Sequence, residues 1–243
     1  MKTRLAFITT TILSTHLLAS APTQWTYKGD TGPRTWSELS KEYAQCKVGT
    51  KQSPVNLTQP FADMAGTLLL NYGKTPVEGR RLNEKVRVDI EPGHYVVYNN
   101  ERYNLLQFHT HAPSEHTIDG KQYPAVMHFV HKNAKGELLV VGVMIEEGNH
   151  NPEWEKIQTH MKSEKDGKKL GEIDLDGLLT DAASYFHYDG SLTTPPCSEN
   201  VKWFVLKKPV AVSKEQLAMI PSQKTHTNRP IQPLNGRKIF SHN

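Results

Sequence analysis

Three histidines, His109, His111 and His128, are the residues of this 243-residue chain best suited to hold a metal. The run Tyr103 to Phe108 is apolar and aromatic enough to form a strand, and residues two apart on a strand project from one face. Gln107, His109 and His111 therefore look into one space. A second apolar run, Ala125 to His131, puts Val126, His128 and Val130 on one face and Met127, Phe129 and His131 on the other. If the two strands are neighbours, three imidazoles converge. Three neutral imidazoles with a fourth position open form the donor set of a catalytic zinc. Spacing alone says little, because a chain with 12 His shows His-x-His about 0.6 times by chance. The surrounding residues decide between a metal site and histidines that merely pack.

Those surroundings are distinctive. His109-Thr110-His111, Ser114-Glu115-His116-Thr117, Met127-His128-Phe129-Val130-His131 and Ser191-Leu192-Thr193-Thr194-Pro195-Pro196 together resemble the alpha-class carbonic anhydrases. Tyr27, Gly32-Pro33, Trp36, Gln52-Ser53-Pro54-Val55, Gly93-His94 and Trp203 fall in the matching order. The likeness is closer to the bacterial, exported branch, since the segments between motifs are short and Cys197 follows the proline pair.

The resemblance implies a mainly β (α+β) single domain: a central, largely antiparallel, twisted sheet with short peripheral helices and zinc at the bottom of a cone. It implies His109, His111 and His128 as zinc ligands and carbon dioxide and bicarbonate as the small-molecule substrates. Zinc-bound hydroxide would be the nucleophile, with Glu115 and Thr193 directing it. An ionised Glu only accepts hydrogen bonds, so the Thr193 hydroxyl would give its proton to Glu115 and accept from the hydroxide. Gln107 matches the amide that accepts the remaining N–H of a ligand histidine. Val130, Val140, Leu192, Thr194 and Val201 match the substrate pocket, and His94 matches the proton shuttle. His116 and His131 read as structural hydrogen-bonding histidines. Val126 departs from the pattern, standing where the family commonly has a Glu that accepts from the third ligand, and this predicts weaker zinc binding. Weak esterase activity is a secondary expectation. The alternative is a non-catalytic, zinc-containing binding module of the same fold. A zinc peptidase is disfavoured, because the chain has no His-Glu-x-x-His.

Met1 to Ala21 reads as an export signal over residues 1–21: Lys2 and Arg4, an apolar stretch from Leu5 to Leu18, then Ala19-Ser20-Ala21. Residues 22–243 are then one domain, placed in a periplasm or outside the cell. Lys and Arg number 29 against 25 Asp and Glu, a formal charge of +4, and losing Lys2 and Arg4 leaves +2. So small an excess argues against nucleic-acid or membrane partners. Cys46 and Cys197 are the only cysteines, and after an export signal they read as a disulfide, with two free thiols as the alternative.

The elements that must position these groups are mostly strands. Lys85 to Ile90 alternates in polarity, and Tyr95 to Tyr98, Leu138 to Ile145 and Val201 to Leu206 are apolar runs. Asn133 to Gly136 reads as a hairpin turn. Pro152 starts a helix bearing Trp154, Ile157 and Met161, and Ser213-Lys214-Glu215-Gln216 is a capping box.

Overall fold

In the computed structural model the described residues are 24–63, 67–82, 85–161, 169–180 and 182–242. The export signal expected over Met1 to Ala21 lies outside them. Among the described residues, thirteen strands form one large mixed sheet. Six of these build the site: β1 (Lys85–Ile90), β2 (Glu101–His111), β3 (Ala125–Lys132), β4 (Leu138–Glu147), β5 (Tyr185–Ser191) and β6 (Glu199–Leu206). Their spatial order is β1-β2-β3-β4-β6-β5. Only the contact between β4 and β6 is parallel among these neighbours; the others are antiparallel.

Both faces of this sheet are covered, which is why β3 and β4 are nearly continuous apolar runs. One face carries Val88, Phe108, Met127, Phe129, Val141 and Val143, with Trp154 and Ile157 from the helix Pro152–Met161 packed over them. The other carries Val126, Val140, Met144, Val201, Trp203 and Tyr188. Strand periodicity divides the faces: in β3, odd-numbered Met127 and Phe129 join the first cluster and even-numbered Val126 and Val130 the second. The side chain of Met161 lies outside the described residues.

The two central strands are not in simple register. Val130 pairs with Gln107, whereas His131 pairs with Leu105, so Leu106 is an extra residue in β2. Such a bulge reverses the parity of the strand. Tyr103 and Leu105 thus share the first face with Phe108, and Gln107, His109 and His111 are turned to the second.

Local chemistry at the ends of elements follows the sequence. Asn133 Oδ1 accepts from the amides of Lys135 and Glu137 at 3.0 and 2.8 Å, closing the turn between β3 and β4. Ser213 and Gln216 cap the helix Lys214–Ala218 reciprocally. Gly190 in β5 is required by close approach, since a Cβ there would lie 2.2 Å from Ser53 Oγ and 2.9 Å from the Trp203 ring.

Candidate metal centre

Antiparallel pairing of β2 and β3 makes His109 the partner of His128 and His111 the partner of Val126. Directly paired residues share a face, so the bulge and the pairing together bring the three rings to one point. Ring centroids are 5.0 Å apart for His109 and His111, 5.4 Å for His109 and His128, and 4.8 Å for His111 and His128. One ligand nitrogen from each lies within 4.8 Å of the others. His111 and His128 are buried, and His109 is partly exposed.

The protonation of two rings follows from their partners. His109 Nδ1 donates to Gln107 Oε1 at 2.9 Å, and His111 Nδ1 donates to the Thr227 carbonyl. A carbonyl oxygen only accepts, so in each ring the proton sits on Nδ1 and the Nε2 lone pair is available. A set of neutral imidazoles held this way fits a zinc ion.

Glu115 lies beneath the rings, 1 % exposed. Its Oε1 accepts from the Arg229 amide at 2.9 Å and lies 3.4 Å from His111 Nδ1, while Oε2 lies 3.8 Å from His128 Nδ1. Arg229 is itself buried. Its guanidinium donates to Gln52 Oε1, the Ser53 carbonyl and the Cys46 carbonyl, each at 2.8 Å. Burial brings the Arg229 pKa down to about 10, with the Glu115 charge opposing that fall. Arg229 thus stays cationic at neutral pH and favours an ionised Glu115.

Cys46 and Cys197 are joined, which fastens the loop carrying Thr193 to the N-terminal segment. Gln52 Nε2 strengthens that seam by donating to the Cys197 carbonyl at 3.1 Å. Thr193 is buried, and the Thr194 carbonyl accepts from the Cys197 amide at 2.9 Å within the same turn. Val140 and Val201 are buried in the second apolar cluster, with Val130 and Leu192 packed against it. Val126 is in that cluster, wholly buried, and brings no polar atom to His128.

His116, in the loop after β2, and His131, on β3, are hydrogen bonded away from the cluster's centre. His116 Nε2 meets the Tyr188 hydroxyl at 2.6 Å, which meets Ser53 Oγ at 2.7 Å, and burial lowers the His116 pKa to about 3. His131 faces the opposite side of the sheet, where its Nδ1 donates to the Leu139 carbonyl at 3.1 Å. Its Nε2 then accepts from the Tyr72 hydroxyl at 2.6 Å.

Burial also lowers the His131 pKa to about 3. The unfolded chain, with a histidine pKa near 6.5, binds this proton first as the pH falls, so folding loses stability from about pH 6.5 down to about 3. At pH 5 that loss amounts to about 2 kcal/mol. His131→Phe is expected to start less stable at pH 7.5 yet lose about 2 kcal/mol less on going to pH 5, as denaturant melts at both values will show. Equal losses in the two proteins would contradict it.

His94 is not brought to the cluster. Its carbonyl accepts from the Leu105 amide at 2.8 Å, which sets it opposite Leu105, on the first face of the sheet. Its ring Nδ1 lies 3.1 Å from the Tyr72 carbonyl, and Asp176 is a charged neighbour. The proton-shuttle role that the family likeness implies for His94 stays an expectation, and the contacts of its ring are those with Tyr72 and Asp176. Arg229 was not foreseen. A lone arginine in a Pro-rich segment carries no periodic signal, and arginines are mostly exposed.

Comparison with known proteins agrees with this geometry. Residues 31–243 match the family model described as eukaryotic-type carbonic anhydrase. The chain is 41% identical over 227 residues to a carbonic anhydrase of Pectobacterium atrosepticum, covering 91% of this chain and 92% of that one. Its fold is similar to the alpha-carbonic anhydrase of Thermovibrio ammonificans, solved with the inhibitor sulfanilamide: TM-score 0.83 and 40% identity over 89% of this chain and 98% of that one. It is also similar to dioscorin, solved with ascorbate: TM-score 0.85 and 28% identity over 90% of this chain and 98% of that one.

Proposed function

Because the chain belongs to the eukaryotic-type, or alpha, carbonic anhydrase family, we propose that His109, His111 and His128 hold a zinc ion at which carbon dioxide is reversibly hydrated to bicarbonate and a proton. The observation that carries this reading is the convergence of three ring nitrogens from two adjacent strands. Zinc in carbonic anhydrases supplies hydroxide at neutral pH by lowering the pKa of water to about 7.

The protein's own residues do the positioning. Gln107 and the Thr227 carbonyl fix the ring orientation of two ligands. Glu115, whose charge the nearby Arg229 cation favours, would accept a hydrogen bond from the Thr193 hydroxyl, so the Thr193 oxygen would be left to accept from the nucleophile and aim it. Val130, Val140, Leu192 and Val201, with Thr194 at the loop, form the surface against which a linear, nonpolar substrate rests. An uncharged substrate needs no ion pair there, and an apolar wall excludes competing water.

The disulfide supports export to an oxidising compartment. No helix among the described residues is long and apolar enough to cross a membrane.

Purified protein is expected to contain one zinc per chain and to release protons from dissolved carbon dioxide in a stopped-flow indicator assay. Zinc-loaded protein with no hydration above the spontaneous rate would instead favour a binding module of the same fold.

A further inference from the structure

β1 pairs with β2 so that Arg87 lies opposite His109 and Asp89 opposite Gln107. Cross-strand partners project from the same face. The other residues of β1 confirm the orientation: Val86, Val88 and Ile90 are buried in the cluster on the far face. Arg87 and Asp89 therefore share the face of the metal set. Their side chains are 40% and 33% exposed, and Arg87 Nε donates to Asp89 Oδ1 at 2.9 Å. That bond uses one of the five N–H donors of the guanidinium and holds its plane. A guanidinium cation is thus carried by the residue directly opposite the most exposed of the three proposed ligands, on the same face of the sheet.

The two carbon species of the proposed reaction differ in charge. Carbon dioxide is neutral and gains nothing from a nearby cation; bicarbonate is a monoanion and does. We propose that Arg87 is an anion-recognition residue of this site, binding bicarbonate and other small monoanions through its guanidinium, with Asp89 orienting that group and tempering its charge. This rests on the zinc reading of the three histidines. Apolar walls and a directed nucleophile serve the neutral substrate, and Arg87 supplies the complementary feature for the charged one. Half-exposure keeps the interaction modest and sensitive to salt.

The test is equilibrium binding of thiocyanate, a monoanion that does not interconvert with a neutral form, to the zinc-loaded protein by calorimetry. Arg87→Gln is expected to weaken binding about three- to tenfold, and Arg87→Lys to retain most of it. Asp89→Asn is expected to tighten binding roughly twofold, because it removes a competing negative charge. The wild-type affinity should also fall more steeply with added salt than that of Arg87→Gln. The same affinity in wild type and Arg87→Gln would overturn the proposal. So would weakening in Asp89→Asn equal to that in Arg87→Gln, since the pair would then matter only as a structural unit. Zinc is measured first: wild type without zinc overturns the parent reading, whereas equal affinities in zinc-loaded proteins overturn this one alone.

Discussion

His111→Ala is expected to retain little zinc after dialysis and to lose hydration activity almost entirely while remaining folded. Among the described residues the group consists of three ring nitrogens alone, so no spare ligand replaces a lost one. His109→Ala and His128→Ala should behave alike. Gln107→Ala should fall in between, because it removes only the acceptor that orients His109. Loss of such an outer partner costs about 10–100-fold in affinity or activity, a range for which carbonic anhydrases are themselves the reference case. Zinc content, circular dichroism and initial hydration rate, measured on the same preparations, check this order. A ligand variant with full zinc and full rate would remove that histidine from the site.

Breaking the Cys46–Cys197 bridge is the second change with a large expected effect. The bridge spans a sequence separation of 151 residues. On the chain-entropy account a loop of that length stabilises the fold by about 5 kcal/mol, an upper figure because residual structure in the unfolded chain reduces it. The bridge also lies in the seam that Arg229 and Gln52 stitch, so reduction loosens the support of both Glu115 and the Thr193 loop. The Cys46→Ser, Cys197→Ser double variant should unfold at markedly lower denaturant concentration than the oxidised protein, and reduced wild type should move toward it. An unchanged midpoint would show that the bridge constrains nothing the fold does not already hold.

The parts of this molecule that the sequence made legible are those governed by short-range periodicity. Alternation in Lys85 to Ile90 and in Ala125 to His131 assigned side chains to faces that the strands indeed present. Pro152 and the Ser213–Gln216 capping box marked helix starts that the structure shows at Pro152–Met161 and Lys214–Ala218. What was not legible depends on register and on distant contacts. The bulge at Leu106 has no sequence signature of its own, yet it decides that Leu105 shares a face with Phe108 while Gln107, His109 and His111 are turned to the other. Arg229 meets Glu115, Gln52 and Cys46 across more than a hundred residues, so nothing near it in the chain announces its role. Arg87 reads only as the polar side of an alternating strand until the pairing sets it opposite His109.

The most direct measurement for the central claim is carbon dioxide hydration before zinc removal, after removal by a strong chelator, and after stoichiometric zinc is returned. The account predicts rapid hydration in the native protein, a fall to the spontaneous rate when zinc is gone, and recovery on its return. Rapid hydration that persists in protein shown to contain no metal would contradict it.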